Sequence, residues 1–140
     1  MKIAVVDGQG GGIGKSVIEK LRKELSPEQA TKVTIIALGT NALATGSMLK
    51  AGADEGATGE NAIVRTVETV DIILGPLGIV LANSILGELT PKMATAIASC
   101  KAHKLVIPMT RCGVEIVGAR IDTLPRQIDA LVEKTIELLG

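Results

Sequence analysis

The residues whose types and spacing bear chemistry stand at the start of the chain: Asp7, the run Gly8-Gln9-Gly10-Gly11-Gly12-Ile13-Gly14, then Lys15 and Ser16. Five glycines in seven residues follow a short apolar run and precede an amphipathic one. A helix that begins at such a turn presents free amide N–H groups and a partial positive charge, and glycine lets a ligand come close to that backbone. The chemistry this serves is the holding of an anion, above all the phosphates of a nucleotide.

Spacing narrows the ligand. The mononucleotide loop G-x-x-x-x-G-K-[ST] requires glycine at position 9, which is Gln9, so Gly14-Lys15-Ser16 matches only its last three residues. The dinucleotide fingerprint G-x-G-x-x-G fails as well: begun at Gly8 it needs Gly or Ala at Ile13, and begun at Gly10 it needs one at Lys15. The spacing that fits is G-x-x-x-G-x-G at Gly8, Gly12 and Gly14, and Gly12-Ile13-Gly14 resembles the cofactor loop of short-chain dehydrogenases over the segment up to Leu25. The resemblance implies NAD(P) or another adenine nucleotide as cofactor. The catalytic Tyr and Lys pair of those enzymes has no counterpart, because the chain contains no Tyr.

The remaining candidates are strand ends. In open α/β sheets ligands sit outside the C-terminal ends of the strands, and here those ends read Asp7 to Gly12, Gly39-Thr40-Asn41, Gly75-Pro76 and Met109-Thr110-Arg111-Cys112. Arg111 is the expected partner for a ligand phosphate or carboxylate. An acid that would hold ribose hydroxyls after the second strand is missing; Thr40 and Asn41 occupy the place, either as ribose donors or as a turn and helix cap. Asp7 reads equally as a ligand contact or as a cap of turn amides. Cys112 beside Arg111 reads as an inert thiol or a nucleophile, Cys100 as core, and His103 as a complement to a helix C-terminus. Glu60 and Glu88 read as acids of exposed helices, with a base role open for either.

These residues need elements to position them. Residues 2–6 form a buried strand, and 13–25 an amphipathic helix with Ile13, Val17, Ile18, Leu21 and Leu25 on one face. Val33 to Leu38 is a second strand, making a βαβ unit, and Asn41 to Lys50 a helix. Ala53 to Gly59 reads as a loop, with Thr58 capping a helix from Gly59 to Thr69. Asp71 to Leu74 is a third strand, Ile79 to Leu86 a buried or interface helix, and Thr90-Pro91 the start of another helix with Met93, Ile97 and Cys100 inward. Leu105 to Pro108 is a fourth strand, Val114 to Gly118 a fifth at an edge, and Thr123-Leu124-Pro125 opens a last helix. The alternation specifies one α/β domain over residues 1–140, a three-layer doubly wound, mostly parallel sheet of about five strands, Rossmann-like or flavodoxin-like.

Composition excludes other classes. The net charge is zero and no basic block exists, against nucleic-acid or membrane-surface partners; without Phe, Tyr or Trp there are no base-stacking platforms. Two cysteines and one His give no metal framework, and no metal is expected. The opening apolar run is too short for a secretory signal and no stretch reaches membrane-span length, so a cytoplasmic location is expected.

The strings Asp7-Gly8-Gln9-Gly10-Gly11-Gly12-Ile13-Gly14, Ala37-Leu38-Gly39-Thr40-Asn41-Ala42, Gly56-Ala57-Thr58-Gly59-Glu60-Asn61-Ala62 and Thr90-Pro91-Lys92-Met93 together resemble a small uncharacterised bacterial family found largely in anaerobes. That resemblance implies a Rossmann-like domain and no established activity. Three readings stay open: a nucleotide-binding protein whose ligand is a small-molecule nucleotide or phosphorylated compound; an oxidoreductase-class enzyme using Cys112 or Glu60; and a non-catalytic regulatory module, with a homo-oligomer expected through Ile79 to Leu86.

Overall fold

A computed structural model describes residues 1–108, 113–120 and 122–140. Five parallel strands, β1 (Lys2–Asp7), β2 (Thr34–Gly39), β3 (Glu55–Thr58), β4 (Ile72–Pro76) and β5 (His103–Ile107), form one sheet in the order β3-β2-β1-β4-β5. Strand order reverses on either side of β1, which resolves the choice in favour of the Rossmann-like arrangement over the flavodoxin-like one. Among the described residues the α-helices are α1 (Gly12–Glu24), α2 (Pro27–Lys32), α3 (Ala42–Ala51), α4 (Glu60–Thr66) and α5 (Pro91–Ser99), which lie between strands, and α6 (Leu124–Leu139), which follows β5.

Alternation along β1 builds the layers. Ile3 and Val5 point to one face, joining Val17, Ile18 and Leu21 of α1, Met48 of α3, and Ile128, Leu131 and Val132 of α6. Ala4 and Val6 point to the other, with Ile63 of α4 and Met93 and Ile97 of α5. With both faces covered, the strands read as continuous aliphatic runs, and a core without aromatic side chains closes around them. Among the described residues no helix is long and apolar enough to cross a membrane.

Three expected elements are corrected. Residues 53–59 are not a loop: Glu55–Thr58 is the edge strand β3, pairing Ile36 with Glu55 and Gly39 with Thr58. It carries no apolar pattern because the β2 edge, not its own side chains, makes it a strand. Asp54 starts the pairing, its N–H bonded to the Ile35 carbonyl and its carboxylate accepting the Ile35 N–H at 2.8 Å and an Arg22 ion pair at 2.8 Å. Thr58 does not cap α4; Gly59 holds that position, and the Thr58 hydroxyl donates to Thr45 Oγ1 at 2.8 Å.

Ile79 to Leu86 is not a helix. A 3-10 turn, Leu77–Val80, leads into successive turns in which Asn83, Ile85, Leu86 and Gly87 have positive φ. Ile79 and Leu89 are fully buried within this chain and anchor the loop at both ends, while Leu86 is 91% exposed at its tip. Val114 to Gly118 is not a strand either; a turn closed by Ala119 N–H on the Ile116 carbonyl occupies it, and Val117 is 97% exposed. His103 opens β5, and it is Lys104 whose amine reaches the α5 C-terminus, donating to the Cys100 carbonyl at 2.6 Å. Cys100 is half-buried against the second core.

Gly56 lets α3 lie on β3: a Cβ there would stand 2.9 Å from Leu49 Cδ1 and 3.0 Å from Thr45 Cγ2. Gly56→Val is expected to destabilise the protein by about 1–3 kcal/mol through overpacking, read as a lowered midpoint in urea unfolding followed by far-UV circular dichroism.

Candidate functional site

The C-terminal strand ends gather the glycine loop, Thr40 and Asn41, and the 77–89 loop. Asp7 closes β1 with its side chain buried and turned under the loop, accepting the N–H of Gly8 and of Gly14, each at 2.8 Å; the Ile13 N–H also faces it. The carboxylate thus caps α1, whose own N-cap residue, Gly11, has no side chain to do so. Burial pushes the Asp7 carboxyl above its usual value, opposed by those amides. Of its two readings, the geometry gives Asp7 the amide cap.

The five loop glycines divide by cause. Gly8 is buried, and a Cβ on it would stand 2.7 Å from Thr40 Oγ1 and 3.0 Å from Glu88 Oε1. Gly11 has φ +72° with the Ala44 carbonyl oxygen 2.8 Å from where a Cβ would lie. A Cβ on Gly14 would collide with the Met48 side chain. Packing or backbone conformation explains these three. Gly10 and Gly12 are exposed, have no positive φ, and show no heavy atom within 4 Å of an added Cβ. Their N–H groups have no hydrogen-bond partner among the described residues, whereas the Gly11 N–H turns back to the Gly8 carbonyl and the Gln9 N–H bonds Glu88. The spacing Gly8, Gly12, Gly14 therefore mixes two structural glycines with one that faces solvent.

Glu88 is the residue that sequence reasoning underrated. It lies on the 77–89 loop, half-buried, and one oxygen, Oε1, accepts the Gln9 N–H at 2.9 Å, the Thr40 hydroxyl at 2.6 Å and the Asn41 amide at 2.8 Å. The Thr40 hydroxyl, then the Gln9 amide, hold its carboxyl below the usual range. A signal existed: Glu88 is the one charged residue between Asp71 and Lys92. Asn41 also caps α3, its Oδ1 accepting the Ala44 N–H at 2.9 Å, and its amide donates to the Gln9 carbonyl at 2.9 Å. The cap reading of Asn41 holds, and its amide reaches the glycine loop at the same time.

Gly75 and Pro76 arrive at the same end, but both are buried beneath the 77–89 loop. Glu60, at the start of α4, accepts the Thr90 hydroxyl at 2.6 Å and so ties α4 to α5. Arg111 and Cys112 lie outside the described residues. Among the described residues no group of three His, Cys, Asp or Glu side chains is placed to hold a metal ion. Open depressions of about 620 and 600 Å³ run beside α6, and neither touches the glycine loop.

Two outcomes follow from this division. Gly11→Ala is expected to lose about 1–3 kcal/mol, whereas Gly12→Ala, at a helical position with open space, gains about 0.4–1 kcal/mol by restricting the unfolded chain; urea melts of both variants measure the difference. The raised carboxyl of Asp7 means that the folded state keeps its proton to higher pH than the unfolded state. Its contribution to stability is therefore full below the ordinary value of 3.8 and falls as pH rises through the raised value. In Asp7→Asn that slope is expected to vanish from stability measured by urea melts across acidic pH.

Comparison with known proteins adds a fold and a family. Triphenylmethane reductase of Citrobacter sp. is similar in structure with a TM-score of 0.50 at 20% identity, covering 100% of this chain and 46% of the reductase, so this chain spans less than half of that enzyme. The likeness is one of fold. No curated protein matches the chain. Residues 2–140 match the family described as a domain of unknown function, DUF3842, and the chain belongs to that family.

Proposed function

We propose that this protein binds a nucleotide, with the ligand's phosphates against the Gly10 and Gly12 amides at the start of α1 and NAD(P) or another adenine nucleotide as the favoured class. One observation carries the reading: among the described residues, Gly10 and Gly12 have neither a packing nor a conformational reason to be glycine. Glycine within a helix costs up to about 1 kcal/mol relative to alanine, and at Gly12 nothing among the described residues repays that cost. Close approach of a ligand to the backbone does.

The electrostatics define what such a ligand meets. Asp7 already engages the Ile13 and Gly14 amides, so part of the positive end of α1 is neutralised from within. The free donors are the two glycine N–H groups, and Lys15, exposed on the first turn of α1, has no ion-pair partner among the described residues. Arg111, expected from the sequence as a phosphate partner, belongs to the same proposal. A Rossmann-like sheet, shared in fold with a reductase, supports a ligand at this end of the strands; the chemistry of that reductase is not carried over.

Purified native protein tests the reading directly. The chain contains no Trp or Tyr, so a 260 nm band reports co-purified nucleotide, and calorimetric titration with NAD, NADP, ADP and ATP measures binding to protein freed of it. Binding of at least one is expected, with Gly12→Val weakening it by about tenfold to a hundredfold, the worth of one charge-assisted hydrogen bond, while far-UV circular dichroism is unchanged. No 260 nm band and no heat from any of the four would overturn the proposal, and a Gly12→Val protein that binds as the parent does would move the phosphates off the loop.

A further inference from the structure

The end of β2 lacks the acid that, in dinucleotide-binding folds, accepts hydrogen bonds from ribose hydroxyls. The chain brings a carboxylate to that place from elsewhere. Glu88 stands beside Thr40 and Asn41, the residues following β2, and above Gly8, the first glycine of the loop. We propose that Glu88 receives the hydroxyls of the ligand's ribose, supplying from the 77–89 loop the acid that β2 does not carry. The inference rests on the nucleotide reading and deepens it.

The geometry is that of a positioned acceptor. Three donors from two separate segments converge on Oε1, and Oε2 has no partner among the described residues. A carboxylate held by one oxygen presents the other to a ligand without rotamer freedom left to lose. The loop that carries it is itself fixed. Leu89, next in sequence, is fully buried; the Leu89 N–H bonds the Ser84 carbonyl, the Glu88 N–H bonds the Ile85 carbonyl, and the Ser84 hydroxyl bonds the Gly78 carbonyl. Ile85, β-branched, is held at φ +55°, and its side chain lies over Gly8; strain of this kind persists only where the surrounding contacts impose it. A mobile plug over an empty anion site would have neither anchor. The donors hold its carboxyl below the usual glutamate range, and as an ionised carboxylate it accepts from vicinal hydroxyls and repels a 2′-phosphate.

Calorimetric titration with two ligand pairs, ADP against 2′-deoxy-ADP and NAD against NADP, tests this. The parent protein is expected to favour the 2′-hydroxyl member of each pair by about tenfold or more, the scale of a hydrogen bond to a charged group. Glu88→Gln, which retains an acceptor oxygen for the three donors, is expected to bring both ratios close to one. Thr40→Val, which removes one of the donors and leaves the carboxylate, should reduce them in part, and it carries the test if melting by circular dichroism shows Glu88→Gln to be misfolded. Gly12→Val should weaken all four ligands and leave the ratios unchanged. Equal binding of ADP and 2′-deoxy-ADP by the parent would overturn the role of Glu88 while the nucleotide reading stands. Tighter binding of both by Glu88→Gln would overturn it too, making Glu88 an occupant of the anion site. Absence of binding by the parent to all four would sink both readings.

Discussion

The site depends on one buried carboxylate. Asp7 ends the central strand and turns its side chain back under the loop, where the Gly8 and Gly14 amides hold both of its oxygens. A buried carboxylate is tolerated only when hydrogen-bonded, and those bonds fix the distance between the end of β1 and the first turn of α1. The left-handed conformation at Gly11, the close approach of Gly14 to Met48 and the outward placement of Gly10 and Gly12 accompany that closure. The same interaction decides which amides face solvent: those of Ile13 and Gly14 are engaged from below, and those of Gly10 and Gly12 are not.

Above the loop, Glu88 makes the corresponding connection. It joins the glycine loop to the residues after β2 through one oxygen, and it is presented by a segment whose ends, Ile79 and Leu89, are part of the second core. The strand ends on both sides of β1 are thereby tied together by contacts within the chain itself.

How far the sequence revealed this depends on where the information was local. The aliphatic runs of β1, β2 and β4, the stripe on α1 and α6, and the Thr90-Pro91 start of α5 are short-range patterns, and the structure has them close to the expected bounds. The doubly wound α/β class and four of the five strands were legible for the same reason, while the strand order that separates a Rossmann-like from a flavodoxin-like sheet was not. Glu55–Thr58 was not, because a strand of Glu, Gly, Ala and Thr owes its conformation to the β2 edge beside it. Ile79 to Leu86 reads as a helix in sequence because the apolar residues of this loop serve as anchors at its two ends, while the positive φ values at Asn83, Ile85 and Leu86 carry no composition signal beyond the asparagine. At the site, the glycine run announced a tight strand-to-helix turn, but spacing alone did not separate the glycines that packing or backbone conformation requires from Gly10 and Gly12, which are exposed. The hydrogen bond of Glu88 to Thr40 spans 48 positions of sequence, a proximity that no local pattern contains.

The strand order has a bearing on how the molecule is made. β1 lies between β2, which follows it after one helical crossover, and β4, which arrives only after β3 and α4. Chain closure grows costlier with separation, so the β1–β2–β3 half has the means to form early, with the glycine loop already turned. Its cover comes later, when β4 docks on the free side of β1 and carries residues 77–89 across the top. The half-sheet thus carries the turned glycine loop beside an uncovered β1 edge, and the docking that covers that edge also brings Glu88 onto the loop.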